Sequence, residues 1–156
     1  MPLLLALLLT LVPFPRPAAA GGSRPAEEAR PRVEHHLREV ERLVQHFEGV
    51  LTRNCPRFET AGEWDAYLDG EVERVVLLLA HLEQAWVEAK RTPDDDVRRA
   101  AKVPRRQRGR VGPLLDKLQG CANGHGARVT AEEVWRRVEQ EVPRRQAEVA
   151  LPPSTP

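Results

Sequence analysis

The sequence is poor in aromatic residues and has no excess of positive or negative charge. Only 4% of its 156 residues are aromatic, and 24 Lys and Arg stand against 23 Asp and Glu. A formal net charge of +1 gives no bulk attraction to a polyanion, so we expect no nucleic-acid partner. Few aromatic residues together with 14 prolines disfavour a large β-sandwich and favour one small helix-rich domain with disordered ends.

Hydrophobic runs long enough to span a bilayer are also missing. A membrane-spanning helix needs about 20 apolar residues, whereas the apolar N-terminal run is broken by prolines from Pro13 onward. The small residues Ala18, Ala19 and Ala20 follow that run at the distance typical of a signal-peptidase site. We therefore expect residues 1–20 to be a signal peptide and the protein to be secreted and extracellular. The alternative is a Leu-rich N-terminal helix of a cytosolic protein, since no Lys or Arg precedes the run.

Apolar residues recur at alternating spacings of four and three, which predicts amphipathic helices. The fold class we expect is all-α: a small antiparallel bundle of two long and two or three shorter helices. Residues 21–31 should be a disordered linker, residues 32–143 the helical domain, and residues 144–156 a disordered Pro-rich tail. The two long helices carry the stripes that predict the core: Val33, Leu37, Val40, Val44, Phe47 and Leu51, and then Trp64, Leu68, Val72, Val75, Leu79, Leu82, Trp86 and Ala89.

Capping residues and prolines predict where these helices begin and end. Thr60 with Glu63, and Thr130 with Glu133, form capping boxes that predict the starts of two helices. The first long helix should begin at Pro31, and a short piece at residues 113–118 should close at Gly120. Pro143 should break the last helix.

The sequence has only two cysteines, Cys55 and Cys121. In a secreted chain such a pair predicts a disulfide, which would join the end of the first long helix to the loop before the last helix. A zinc site built from both cysteines and His125 is an alternative, although no fourth ligand is apparent. Pairing between two chains is another. We expect no metal and no cofactor.

Seven basic residues and no acidic one occur between positions 98 and 110. They have three interpretations: a solvated loop, a binding site for an extracellular polyanion such as heparan sulfate, or a convertase cleavage site of the R-x-x-R type at residues 105–108. Cleavage would require residues 105–108 to be extended and accessible, as Pro104 and Gly109 suggest. The seven residues are Arg98, Arg99, Lys102, Arg105, Arg106, Arg108 and Arg110.

Residues that could perform catalysis are scarce. Serine occurs only at Ser23 and Ser154, and the five histidines show no metal-binding spacing. We therefore expect a protein that is not an enzyme. The three tryptophans lie on apolar helical faces, where core packing is the ordinary role, and Trp135 is the candidate for an exposed partner anchor because it lies beside its stripe.

These features favour a secreted helical bundle that acts by binding a protein partner, as a cytokine-like or hormone-like ligand or a cofactor does. This analogy rests on fold class alone. A glycosaminoglycan-binding protein, or a convertase-processed precursor that uses residues 98–110, is one alternative. A coiled-coil structural component is another, since both long stripes have a heptad-like rhythm that would also suit pairing between chains.

Overall fold

The computed structural model describes residues 22–124 and 129–151. The expected signal peptide at residues 1–20 and the zinc-ligand candidate His125 lie outside the described residues. Within them the chain is helical and contains no β-strand. The elements are α1 (Ala26–Thr52), α2 (Ala61–Lys90), α3 (Asp95–Lys102), a 3-10 helix (Val103–Arg110), α4 (Val111–Gly124) and α5 (Ala131–Val149).

Both capping boxes form as the sequence predicts. The Thr60 hydroxyl accepts from the backbone N–H of Glu63, whose carboxylate accepts from the N–H of Thr60. Thr130 and Glu133 do the same at the start of α5. A third cap starts α3, where the Asp94 carboxylate accepts from the amides of Asp96 and Val97. The starts of these helices are thus determined locally, by residues within four positions of one another.

The antiparallel bundle is confirmed, and its centre is the contact between α1 and α2. Three polar pairs span this contact, and their residue numbers rise on α1 while they fall on α2. At one end Arg24, just before α1, contacts Glu88 at 2.6 Å, and in the middle His36 contacts His81 at 2.9 Å. At the other end His46 contacts Glu71 at 2.8 Å. Between them lies the largest apolar cluster, to which α4 and α5 also contribute.

The apolar stripes predicted for the two long helices form most of this core. Ten residues of those stripes are buried, whereas Leu37, Leu51, Leu68 and Trp86 are half-buried. The stripes of α1 and α2 therefore face each other within one chain. The coiled-coil alternative needs them to pair between chains, and here they are already covered. The buried members are Val33, Val40, Val44, Phe47, Trp64, Val72, Val75, Leu79, Leu82 and Ala89.

Helix α1 begins five residues before the predicted start at Pro31. Its first turn is Ala26–Arg30, in the segment expected to be a linker. Ala29 is fully buried in a second cluster with Val33, Ala89 and Val97, and burial of this apolar surface favours the extra turn. Pro31 then lies in the second turn of the helix, where its fixed φ is compatible with helical backbone.

Helix α5 continues to Val149, so the prediction that Pro143 breaks it is wrong. Proline costs about 3 kcal/mol in a helix interior, and contacts beyond Pro143 compensate for that cost. Arg145 forms an ion pair with Glu73, and Gln146 donates to Gln84, which ties the last turns of α5 to α2. The helix therefore extends six residues into the segment expected to be a disordered tail.

The disulfide between Cys55 and Cys121 is present, as predicted. Cys55 follows α1, whereas Cys121 lies inside α4 rather than in a loop, because α4 continues past Gly120 to Gly124. Cys121 and Ala122 are buried beside Trp64 in a third apolar cluster, and this packing outweighs the low helix propensity of glycine. Both cysteines are therefore occupied and unavailable to a zinc ion.

Replacing both cysteines, Cys55→Ala/Cys121→Ala, should lower the free energy of unfolding by about 4 kcal/mol in the loop-entropy treatment. The bridge closes a loop with a sequence separation of 66 residues, which restricts the unfolded chain. Urea denaturation followed by circular dichroism would measure the change, with the reduced wild-type protein as a second reference. Equal midpoints for the oxidised protein and the variant would contradict this account.

Candidate partner-binding surface

The basic stretch is helical, which corrects the expectation of a loop at residues 98–110. Helix α3 passes directly into the 3-10 helix, and that element passes directly into α4. Pro104 occupies one of the first two positions of the 3-10 helix, where its missing N–H costs no hydrogen bond. Residues 105–108 are therefore not extended, contrary to the expectation for convertase cleavage. Cleavage there stays an untested prediction that would require this helix to open.

Some of the basic side chains hold the stretch against the bundle. Arg105 and Arg108 both contact Glu83 on α2, at 3.5 and 3.2 Å, and Arg110 pairs with Glu48 on α1. The Arg105 guanidinium also lies 5.4 Å from the centre of the Trp86 ring. These contacts attach the 3-10 helix to the bundle in place of apolar packing, because none of its residues is buried.

The other basic side chains form no ion pair with another helix of the bundle in the described residues. Arg98 and Arg99 pair with Asp95 and Asp96 of their own helix. Lys102 and Arg106 are exposed, and within the described part of the chain neither forms an ion pair. We call the exposed residues Arg99, Lys102 and Arg106 the basic ridge. It borders an open depression of about 620 Å³ lined by Arg99, Lys102, Val103, Arg105 and Arg106.

Val103 is the large hydrophobic residue that the described chain leaves exposed, with 64% of its surface accessible. Sequence analysis missed it because a single valine beside Pro104 carries no periodic signal. Val103 also lines a second depression, of about 440 Å³, between α1 and the 3-10 helix. We call this depression the apolar groove. The groove is lined by Leu37, Val40, Glu41, Val44, Gln45, Glu48, Val103, Pro104 and Gln107.

The apolar groove is shaped by the packing of α1. Val40 and Val44 are buried members of the main core and form its floor, while Leu37 is half-buried at its edge. The Arg110–Glu48 ion pair joins the end of the 3-10 helix to α1. Val103 thus lines both depressions, one with apolar, polar and acidic side chains and the other with cations. This combination suits a polypeptide ligand that has both apolar and charged side chains.

Trp135, the predicted partner anchor, is half-buried and packs against the main core. Its indole N–H donates to the Glu139 carboxylate at 2.8 Å. Trp64 is fully buried, and Trp86 is half-buried beneath Arg105 and Lys90. All three tryptophans therefore contribute to packing, and Trp135 offers a partner only part of its ring.

A pair of buried histidines lies inside the α1/α2 contact, a feature that sequence analysis treated as ordinary packing. The Nδ1 atoms of His36 and His81 are 2.9 Å apart, so one ring donates and the other accepts. Burial and the neighbouring His81, His35 and Arg32 lower the pKa of His36 from 6.5 to about 4. Burial also lowers the pKa of His81, against the opposing effect of Glu39. Both rings are therefore neutral near pH 7.

The environment of this pair does not resemble a metal site. Among the described residues no group of three or more His, Cys, Asp or Glu side chains is arranged to hold a metal ion. The Nε2 atom of His36 is buried and has no hydrogen-bond partner in the described part of the chain. A proton added to either ring would place two N–H donors against each other or bury an uncompensated charge.

No known family matches this chain, and neither a curated protein nor a solved structure is significantly similar to it. None of the helices in residues 22–124 and 129–151 combines the length and apolarity needed to cross a membrane. Interpretation of the surface therefore rests on the chain's own geometry.

The free energy of unfolding should fall as the pH decreases from about 6.5 to about 4.5, by about 2 kcal/mol from His36 and further from His81. Unfolding releases His36 and His81 to their ordinary pKa values, so in this range the unfolded chain binds more protons at these two rings than the folded chain does. Urea denaturation at several pH values would measure the slope.

A double variant, His36→Leu/His81→Leu, should lose this pH dependence. Its stability near pH 7.5 should stay similar, because replacing both partners leaves no unpaired polar group. The matched control His35→Gln should keep the slope, since the buried pair is intact. A wild-type protein equally stable at pH 6.5 and 4.5 would show that the pair does not stay neutral on folding.

Proposed function

We propose that the protein is a secreted, non-enzymatic helical bundle that acts by binding a protein partner at the apolar groove. The observation that supports this most is Val103, a large hydrophobic side chain 64% exposed at the edge of a groove with buried apolar residues at its floor. An exposed hydrophobic side chain next to an apolar depression is typical of a contact that another protein completes.

Secretion is supported by two independent features. The apolar N-terminal segment ends in the small residues Ala18, Ala19 and Ala20, and the two cysteines are joined in a disulfide. Disulfides persist in oxidising environments such as the extracellular space and are rare in the cytosol.

The product recovered from the medium of cultured cells that express the full chain should begin at Gly21. Its intact mass should fall short of the reduced polypeptide by two hydrogens. A further cut after Arg108 would appear only after reduction, as two fragments, because Cys55 and Cys121 would hold them together. A chain kept inside cells with Met1 and two free thiols would contradict secretion.

Photo-crosslinking would test the groove directly. A benzoyl-phenylalanine at Gln107, which lines the groove, should form an adduct with one defined protein on cells that bind the chain. The same group at Arg136, exposed on α5, is the matched control and should form no such adduct. Adding Val103→Ser to the Gln107 probe should reduce the adduct about ten-fold, the equivalent of one buried valine side chain. Equal adducts from both probe positions would contradict the groove as the site.

A polyanion is the second candidate ligand, because the basic ridge includes cations that lack a carboxylate partner within the described chain. Arginine side chains bind sulfate and phosphate oxygens well. A sulfated polysaccharide, however, has no apolar group for the groove and would leave Val103 exposed. We therefore favour a protein partner.

A further inference from the structure

The charge around the apolar groove is unevenly distributed. Between positions 98 and 110, seven cations face only four carboxylates, since Arg105 and Arg108 share Glu83. The surplus lies on the side of Val103 that carries the basic ridge. On the opposite wall α1 presents Glu41, which is exposed, and Glu48, which is paired with Arg110. The residues that line the groove include no cation, so a ligand in it meets positive charge only where it extends past Val103 to the basic ridge.

The ridge residues lie on one face of the helical segment. Arg99, Lys102 and Val103 are three and four residues apart, which places them together on an α-helix. Arg106 is three residues after Val103, and side chains at that spacing eclipse each other in a 3-10 helix. Val103 therefore has a cation on each side along the same face, and the line of four side chains runs beside the groove.

Side-chain contacts keep this line in place. Arg105 is held between Glu83 and the Trp86 ring, and Arg108 by Glu83, so the backbone of the 3-10 helix is anchored to α2. Arg106 lies on that backbone and Lys102 is the last residue of α3 directly before it, and both are free to contact a ligand. Arg105 and Arg108 stay exposed while they hold the segment, and Lys102 and Arg106 have no ion pair that must break before they bind a ligand.

We propose that the partner presents an acidic polypeptide segment, with one apolar side chain in the groove against Val103 and neighbouring carboxylates against Lys102 and Arg106. This inference rests on the proposed function, because it specifies the chemistry of the ligand at the same site. Charge complementarity selects the occupant: a basic segment would be repelled by the ridge, and a neutral one would leave its cations unpaired.

Selection from a random twelve-residue peptide library displayed on phage, against the oxidised protein, would test this ligand chemistry. Enriched peptides should combine Asp or Glu with an adjacent large apolar residue. The most enriched peptide, synthesised with a fluorophore, would then be titrated with each variant by fluorescence anisotropy. Circular dichroism would verify that each variant is folded.

Two variants separate the two contributions. Val103→Ser should weaken the peptide about ten-fold, and Lys102→Gln/Arg106→Gln about five-fold with a smaller dependence on salt. The matched control, Arg136→Gln/Arg144→Gln, removes the same charge from exposed positions on α5, which contacts neither α3 nor the 3-10 helix in the described structure. It should change the affinity less than two-fold.

The remaining outcomes overturn the inference in distinguishable ways. If Val103→Ser weakens the peptide while the Lys102/Arg106 variant matches the control, the groove binds a partner that is not acidic, and the proposed function survives. If neither variant differs from the control, or no peptide is enriched, both proposals fail. A heparin dodecasaccharide that binds through Lys102 and Arg106 and ignores Val103, with no apolar residue in the enriched peptides, would identify a polyanion site instead.

Discussion

The antiparallel contact between α1 and α2 is the constraint on which the rest of the bundle depends. Three polar pairs span it, and each joins a residue of α2 that is at least nine-tenths buried to a residue on or just before α1. Glu88 is 1% exposed and contacts Arg24, Arg91 and Gln84, which together compensate its buried charge. A shift of one helix past the other would break all three pairs and leave buried polar groups without partners. Register is therefore set by the polar residues, while the apolar residues supply most of the driving force.

This register also places the partner-binding surface. Helix α3 covers the end of the α1/α2 contact with Val97 and Ala101, which are buried against Ala29, Val33 and Ala89. The chain then buries no residue until Val111, which is 1% exposed at the start of α4. Between these two anchors the 3-10 helix crosses from α2 to α1, and Val103 cannot reach either apolar cluster. Its exposure follows from the spacing of its buried neighbours along the chain.

Much of the fold could be predicted from the sequence because its determinants are local. The capping boxes at Thr60 and Thr130 need only residues three positions apart, and the stripes of α1 and α2 need only helical periodicity. The errors all occur where contacts distant in sequence outweigh a local signal. Pro143 lies inside α5 because Arg145 and Gln146 contact α2, and α4 passes Gly120 because Cys121 and Ala122 pack beside Trp64.

The candidate surface was harder to predict, since composition alone cannot divide seven basic residues into two groups. Each of them has the same charge and a similar side chain, and nothing local distinguishes Arg105 from Arg106. The structure separates them by whether a carboxylate lies within ion-pair distance. Arg105 and Arg108 reach Glu83, which stands on α2 two turns from its end, whereas Arg106 forms no ion pair within the described residues. A basic run in a sequence is therefore better judged by how many of its cations find carboxylates after folding, because only the remainder attracts a ligand.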